Sequence, residues 1–284
     1  MAEVSVIIST YGRDKCLCDT VSYIIREDYP LFELIVIDQL PQHSRQTRRF
    51  LTETKDKIRY FSVDFASLPR ARNFGVKKAK GEIIIFCDDD IIPKPGFIRR
   101  FVEAYKNDNI RGVAGWVLSS NERKHIGIST RKINLIGLKV KGGFLSFRKS
   151  AILEVGGYDE EYRGPALREE SDLAARIIKK GGTILYGTDI SCIHLGEIKG
   201  GCHAPIHQRE KFIIQNNIRY GVRNLNVLWQ LVWVCLVFRW CVLTRRNSRS
   251  PFLLAKSIKT YVNSLIHALL FQRRIRQKID YLNL

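Results

Sequence analysis

The fold is decided by the stretch Ile83-Ile84-Ile85-Phe86-Cys87-Asp88-Asp89-Asp90, in which an apolar run changes abruptly into three consecutive carboxylates. A run this rich in β-branched residues is typical of a strand that is buried on both faces of a parallel sheet. Ionised carboxylates cannot share those surroundings without partners, because their desolvation costs too much free energy. We therefore expect the acids at the carboxyl end of the strand, in the crevice where open α/β sheets bind ligands.

Adjacent carboxylates at a strand end repel one another unless a positive charge lies among them. Their oxygen atoms are the ligands that hard divalent cations such as Mg²⁺ or Mn²⁺ prefer, and such an ion can also hold phosphate oxygens. The alternative is a solvated acidic turn ahead of Pro93 and Pro95. The pattern favours a Mg²⁺ or Mn²⁺ site.

The residues around this run alternate between strand and helix patterns. Apolar strands are predicted at residues 4–8, 34–37 and 58–63, with helical spacing of apolar residues between them. This order is typical of the right-handed parallel crossovers of a nucleotide-binding α/β half. Further along the chain the pattern is mixed, and residues 124–139 are predicted to form a basic, irregular loop.

Length and charge indicate one α/β domain followed by a basic segment. The 284 residues suffice for a sizeable core, and the net charge of +19 is unevenly distributed. Residues 206–284 carry 14 Lys/Arg and 2 Asp/Glu. We expect an α/β domain over residues 1–205 and a helical extension over 206–284. No basic and apolar leader follows Met1, and the 7 cysteines are irregularly spaced, so we expect a cytoplasmic protein without disulfides.

Four short segments occur in a recognisable order along the first 205 residues. They are Val6-Ile7-Ile8-Ser9-Thr10-Tyr11-Gly12-Arg13; Ile35-Val36-Ile37-Asp38; Ala71-Arg72-Asn73 followed by Asp88-Asp89-Asp90; and Gly156-Gly157-Tyr158-Asp159 followed by Glu169-Glu170-Ser171-Asp172-Leu173. Together they resemble the family-two glycosyltransferases, which are inverting enzymes with the GT-A fold. The resemblance covers roughly residues 3–205 and implies a Rossmann-like mixed sheet flanked by helices, with the helical extension added to it.

The resemblance implies a binding site for a nucleotide-sugar donor. A carboxylate at a strand end can accept hydrogen bonds from base N–H groups or ribose hydroxyls, and a planar guanidinium pairs well with a diphosphate. Arg72 is the residue implied near the diphosphate. The full set of residues implied for donor binding is Thr10, Arg13, Asp38, Arg72, Asp88 and Asp89.

The resemblance also implies a metal site. Asp88 and Asp90 correspond to the aspartate–any–aspartate motif of the family, in which Asp90 is the direct ligand and Asp88 faces the ribose. His194 follows a predicted strand and is implied as a further ligand. The ion would be Mg²⁺ or Mn²⁺ and would stabilise the departing diphosphate as a Lewis acid.

Inversion at the anomeric carbon requires one carboxylate as general base for the acceptor hydroxyl. The family usually has Glu-Asp here, with the aspartate as the base, whereas this chain has Glu169-Glu170. The resemblance therefore implies Glu170 as the base, and Glu169 and Asp172 are the alternatives. The same acids would also suit a solvated first turn of a helix, because negative charge is favourable at a helix N-terminus.

Residues 227–243 are strongly apolar, interrupted by Gln230 and Arg239. As a helix they would extend over about 25 Å, less than a hydrocarbon core of about 30 Å. Three of the four tryptophans lie in this segment, and arginines follow it at positions 245, 246 and 249. This composition favours attachment to an anionic membrane surface. The alternatives are packing on the catalytic domain or on a second subunit, and a true membrane span.

The sequence therefore predicts a metal-dependent inverting glycosyltransferase of polysaccharide or glycolipid biosynthesis. It would transfer a sugar from a nucleotide diphosphate to a hydroxyl of a glycan or lipid-linked glycan, at the inner face of the cell membrane. The alternative is a non-catalytic basic protein that binds nucleic acid or membrane on a degenerate GT-A fold. Nucleic acid is not expected, because the clustered carboxylates would repel its phosphates. A sugar nucleotidyltransferase would need a glycine-rich loop after the first strand, where Gly12 is the single glycine.

Overall fold

The structure is a computed structural model. The predicted loop at residues 124–139 and the arginines at 245, 246 and 249 lie outside the described residues. The residues that the structure describes are 3–119, 142–164, 167–197, 200–201, 206–244, 247, 250–277 and 280–282.

The described residues form one mixed sheet of eight strands with the spatial order β3-β2-β1-β4-β7-β6-β8-β5. Parallel pairing joins β1 to β2 and β4, β2 to β3, and β6 to β8. Antiparallel pairing joins β7 to β4 and β6, and β5 to β8. The strands are β1 (Val4–Thr10), β2 (Phe32–Asp38), β3 (Arg59–Ser62), β4 (Ile83–Asp88), β5 (Ile91–Pro93), β6 (Ile110–Ser119), β7 (Phe144–Arg148) and β8 (Thr183–His194).

Helices cover both faces of the sheet, and the side chains of β4 alternate between the two cores. Ile84 and Phe86 point into one core, and Ile83, Ile85 and Cys87 point into the other. An apolar residue is needed at every position because successive side chains of a strand point to opposite faces. The helices are α1 (Asp14–Ile24), α2 (Arg45–Glu53), α3 (Leu68–Lys78), α4 (Phe97–Ala104), α5 (Lys149–Glu154), α6 (Glu169–Lys179), α7 (Ile206–Asn224), α8 (Val227–Val237), α9 (Pro251–Leu270) and α10 (Gln272–Arg276).

The helices after residue 205 share a core with the sheet. Trp233 of α8 and Tyr261 of α9 belong to the same buried cluster as Phe86 of β4. On α7, Arg219 and Arg223 both donate to Asp159 Oδ2, at 2.7 and 2.9 Å. The extension thus packs on the domain that carries the sheet, and packing of this kind was one of the alternatives drawn from the sequence.

Residues 227–243 contain α8 and a π-helical turn, Phe238–Val242. Trp233, Val237 and Val242 are buried against the rest of the protein. Among the helices that the structure describes, none combines the length and apolar character that a membrane crossing requires.

Candidate active site

Parallel pairing aligns the carboxyl ends of β1, β2 and β4 at one edge of the sheet. Thr10 lies beside Asp38, and Ser9 lies beside Asp88. The three acids of the sequence therefore begin where β4 ends. This is the crevice in which open α/β sheets bind ligands.

His194 reaches the same edge through a short strand pair. β5 directly follows Asp90 and pairs with β8, so that Ile91 lies opposite His194. The Nε2 atom of His194 is 3.3 Å from Asp90 Oδ1 and 3.9 Å from Asp88 Oδ2. One ligand atom from each of the three side chains lies within 4.8 Å of the other two. The structure thus brings together the three residues that the sequence resemblance implied for the metal site.

The chemistry of this cluster fits a divalent cation. Asp90 is fully buried, and its Oδ1 atom accepts no hydrogen bond from any residue in the described ranges. A buried acceptor that receives no hydrogen bond is unfavourable, and a bound cation would satisfy it. Two carboxylates and one imidazole are ligands that suit Mn²⁺, and the carboxylates also suit Mg²⁺.

Asp89, the middle acid, points toward the interior of the protein. Its Oδ2 atom accepts from the Thr10 hydroxyl at 2.6 Å, and its Oδ1 atom accepts from Arg13 Nη1 at 2.8 Å. Burial raises the pKa of Asp89 to about 6, although Arg13 and Thr10 oppose the rise. Asp89 therefore bonds to both Thr10 and Arg13 inside the protein. Their contact with a donor, implied by the resemblance, stays a prediction.

Asp38 is enclosed by side chains that the sequence did not single out. Its Oδ2 atom bonds to His43 Nε2 and accepts from the Tyr60 hydroxyl. Its Oδ1 atom accepts from the backbone N–H of Leu40 at 3.0 Å. The other ring nitrogen of His43, Nδ1, bonds to Asp14 at 2.6 Å. Asp38 thus has three partners inside the protein, and its contact with base or ribose also stays a prediction.

Arg72 lies between the metal-side carboxylate and the two glutamates. Its Nη1 atom is 2.9 Å from Glu170 Oε1 and 3.1 Å from Glu169 Oε1, and its Nη2 atom is 3.5 Å from Asp88 Oδ1. Since Arg72 is almost fully buried, these ion pairs are shielded from solvent. The structure thus gives Arg72 carboxylate partners, and its contact with a diphosphate stays a prediction.

The two glutamates differ in their surroundings. Burial raises the pKa of Glu169 well above its ordinary value, and the charge of Glu170 raises it further, while Arg72 opposes both effects. The Glu169 Oε2 atom is buried and accepts no hydrogen bond from the described part of the chain. These surroundings favour a neutral Glu169, because two adjacent buried carboxylates cannot both carry charge cheaply.

Gly142 lies against Glu170, and Gly143 lies against Asp88. A Cβ atom on Gly142 would lie 1.6 Å from Glu170 Oε1, and one on Gly143 would lie 2.2 Å from Asp88 Oδ2. Both carboxylates therefore rest directly on the glycine backbone that leads into β7. Gly143 also has a φ of +99°, which a side chain would disfavour. Sequence reasoning gave these two glycines no role in the site.

Asp172, the other alternative for the general base, is held on the far side of the α6 first turn. Its Oδ2 atom accepts from Arg176 Nε at 2.8 Å, and its Oδ1 atom accepts from Asn224 Nδ2 at 2.7 Å. Residues two apart on a helix do not share a face. Asp172 therefore ties α6 to α7, and this geometry favours Glu170 over Asp172 as the base.

Arg168 directly precedes the two glutamates and has an unusual backbone. Its φ is +86°, the one positive value at a non-glycine residue in the described ranges. Its guanidinium lies 5.0 Å from the ring of Trp233 and 5.4 Å from that of Tyr220, and Nε donates to Asn217 Oδ1 at 3.0 Å. Helices α7 and α8 thus hold the residue from which α6 starts. No local sequence signal predicts a left-handed arginine, since the contacts that hold it are distant along the chain.

Two cavities lie along the carboxyl ends of β1, β2 and β3. The smaller, about 740 Å³, is lined by Tyr11, by Gly201 and by the start of α3. The larger, about 1000 Å³, extends along the ends of β2 and β3. Both are large enough for a small-molecule ligand. Asp88, Asp90 and Glu170 do not line either one. The residues that line both cavities are Gln39, Arg70, Glu160 and Tyr281.

The sheet and its acidic edge define a protein of the GT-A fold, and solved structures of that fold are similar to it. TarS residues 1–349 from S. aureus in complex with UDP-GlcNAc has a TM-score of 0.69 at 15% identity, covering 97% of this chain and 88% of that one. The mannosyltransferase PcManGT from Pyrobaculum calidifontis, in complex with GDP-Man and Mn²⁺, has a TM-score of 0.60 at 16% identity, covering 94% and 75%. The predicted fold class is confirmed.

The sequence comparisons identify the family. Residues 5–153 match the family described as Glycosyl transferase family 2, and residues 83–271 match Glycosyl transferase family group 2. The chain belongs to glycosyl transferase family 2, as the motifs predicted. One curated relative is the GalNAc(5)-diNAcBac-PP-undecaprenol beta-1,3-glucosyltransferase of Campylobacter jejuni, 27% identical over 177 residues, 58% of this chain and 57% of the relative. The chain spans little more than half the length of such relatives.

Proposed function

We propose that this chain is a metal-dependent inverting glycosyltransferase, with residues 1–205 as its catalytic domain. It would transfer a sugar from a nucleotide diphosphate to a hydroxyl of a glycan or lipid-linked glycan. The observation that carries the proposal is the juxtaposition of Asp88, Asp90 and His194 with Glu170, linked through Arg72 and the glycines before β7. Family membership and the nucleotide sugars in the similar structures support the reaction class.

Asp88, Asp90 and His194 would hold Mg²⁺ or Mn²⁺. When bound, the ion would neutralise charge on the departing diphosphate. Two observations support this role: Asp90 Oδ1 accepts no hydrogen bond in the described ranges, and the three ligand atoms lie within 4.8 Å of one another. The solved neighbour that contains Mn²⁺ supports the choice of metal class, at the level of the shared fold.

Glu170 would act as the general base. It would take the proton of the acceptor hydroxyl, the freed oxygen would attack the anomeric carbon, and the bond from that carbon to the diphosphate would break. Arg72 holds the Oε1 atom of Glu170 at 2.9 Å, which leaves Oε2 as the atom for the proton. Glu169 would stay protonated beside it, because its pKa is raised by burial and by the charge of Glu170.

The proposal is tested with a panel of nucleotide sugars in the presence and absence of Mn²⁺. We expect at least one donor to bind with metal dependence by calorimetry and to release its nucleoside diphosphate. The Glu170→Gln variant should bind that donor with little change and lose turnover, because the amide keeps the shape but cannot accept the proton. Full turnover by Glu170→Gln would transfer the base role to Glu169, which the Glu169→Gln variant then tests. A folded protein that binds no donor would refute the enzyme.

We further propose that α8 and α9 attach the protein to the inner face of the cell membrane, near a lipid-linked acceptor. Their outer surfaces carry apolar side chains that are largely exposed, including Leu228 at 69% and Phe252 at 77%. Exposed Lys256 and Lys259 lie on the same helix as Phe252. Apolar side chains with interspersed basic residues suit an anionic interface. The acceptor of the Campylobacter jejuni relative is named as an undecaprenol-linked glycan.

Vesicle flotation tests this attachment. We expect the protein to float with vesicles that contain anionic phospholipid and to float less at high salt or with neutral vesicles. The Leu228→Glu and Leu231→Glu variants should lose binding, because both side chains are more than 60% exposed on α8. Leu31→Glu, at an exposed site ahead of β2, is the matched control and should bind like the native chain. Retention of RNA at high salt, with vesicles ignored, would favour the nucleic-acid alternative instead.

A further inference from the structure

Residues 280–282 return from the helical extension to the domain that carries the sheet. The backbone N–H of Tyr281 donates to the carbonyl of Gly156 at 3.0 Å. Leu282 is buried, and its Cγ would lie 2.9 Å from a Cβ atom placed on Gly157. A side chain at Gly157 would therefore displace Leu282. We call residues 280–282 the strap, which is seated on the Gly156–Gly157 turn.

The strap forms part of the wall of both cavities. Tyr281 lines the smaller and the larger cavity, and Asp280 lines the larger. Across from the strap, Gln39 follows Asp38 at the end of β2 and also lines both. Gln39 is itself fixed, since its Oε1 atom accepts from the Ser67 N–H at 2.7 Å. The two cavities thus share walls that come from β2, α3 and the strap.

The wall of the smaller cavity lies close to the acidic cluster, through contacts of Gly201 and Arg13. Gly201 lines it, and the Gly201 N–H donates to the carbonyl of Tyr11, another lining residue, at 2.7 Å. A Cβ atom on Gly201 would lie 2.7 Å from Arg13 Nη2. Arg13 in turn pairs with Asp89 at 2.8 Å and with Asp90 at 3.1 Å. Arg13 thus lies between Gly201 of the cavity wall and the acids at which a ligand's phosphates would lie.

We propose that Tyr281 contacts the nucleoside of the donor, so that the strap forms part of the donor site. This inference rests on the proposed function, which places a nucleoside diphosphate at the metal site. Tyr281 and Arg70 both line the same two cavities. An aromatic ring can stack on a planar base, and its hydroxyl can bond to a ribose. The extension would then contribute directly to donor recognition.

A consequence is that donor binding and seating of the strap stabilise each other. Any ligand that contacts the seated strap favours the seated state, and the relation is reciprocal. Leu282 packs on Gly157 and so holds the strap in place. Among the described residues that line the two cavities, Leu282 is not included. Leu282→Ala should therefore weaken donor binding less than Tyr281→Ala, because the ring is still present.

The test is calorimetry with UDP, GDP and ADP in the presence of Mn²⁺, on the full chain. For a nucleotide that the native chain binds, we expect Tyr281→Ala to raise Kd by about tenfold or more and Tyr281→Phe to keep most of the affinity. Tyr23→Ala removes a tyrosine that is 41% exposed on α1 and should leave Kd unchanged. Thermal unfolding of each variant, compared with the native chain, shows whether the fold is retained.

The outcomes separate the two proposals. Native binding that Tyr281→Ala leaves unchanged would overturn the role of Tyr281 and leave the proposed function intact. Equal losses in Tyr281→Ala and Tyr281→Phe would assign the contact to the hydroxyl instead of the ring. If the folded native chain binds no nucleoside diphosphate with Mn²⁺, the proposed function fails and this inference fails with it.

Discussion

Replacing Gly142 by alanine tests whether the Glu170 carboxylate performs the chemistry. The new Cβ atom would lie 1.6 Å from Glu170 Oε1, whereas contacts of Cβ atoms are essentially never closer than 3.0 Å. The carboxylate must therefore move by at least about 1.4 Å. A misplacement of about 1 Å in a catalytic group costs on the order of 100-fold in rate. Since Gly142 is not in the left-handed region, the backbone itself accepts alanine.

We expect Gly142→Ala to lower kcat about 100-fold with saturating donor, measured as release of nucleoside diphosphate, while Kd for the donor changes little. The double variant with Glu170→Gln should be no slower than Glu170→Gln alone, because both changes remove the same carboxylate. Gly181→Ala is the control, since its φ is +86° but no atom lies within 4 Å of the new Cβ. It should lose about 1–2 kcal/mol of stability and keep its turnover. Native kcat in Gly142→Ala would refute the role of Glu170.

Three further predictions concern the metal site, pH and the core. Asp90→Ala should abolish the Mn²⁺ dependence of donor binding in calorimetry, and an unchanged dependence would remove Asp90 from the site. Burial opposes the charge of His43, but Asp14 and Asp38 raise its pKa above 6.5. In urea unfolding, the native chain should therefore have a larger free energy of unfolding than His43→Gln below pH 6.5. This difference should disappear as pH rises through the pKa of His43 in the folded protein. A difference that grows with pH would contradict the prediction. Trp233→Ala should lower the free energy of unfolding by about 3–5 kcal/mol in a single urea transition, whereas two separate transitions would show an independent extension.

The sheet and its functional edge could be predicted because their signals are local. The alternation of side chains on β4 requires an apolar residue at each position, and the abrupt change at Asp88 marks the strand end. Parallel pairing then brings the ends of β1 and β2 to the same edge. The motif order supplied the family, since fold alone does not define a reaction.

Other parts of the site depend on contacts between distant residues and could not be predicted in this way. The left-handed φ of Arg168 is held by α7 and α8, and periodicity says nothing about such partners. His43 lies in a loop, and its two carboxylate partners come from α1 and β2. Gly142 had a recognisable signal as a glycine before a strand. That signal did not reveal which side chain approaches it.

The core that β4 shares with Trp233 and Tyr261 limits how this protein can be recombined. Exchanging the last quarter of the sequence for that of a relative would separate Asp159 from Arg219 and Arg223. It would also remove the aromatic rings around Arg168, next to the proposed base. A chimera of this kind would therefore need the matching residues of α6 and of the Gly156–Gly157 turn. The sheet and the helices after residue 205 therefore have to be exchanged together.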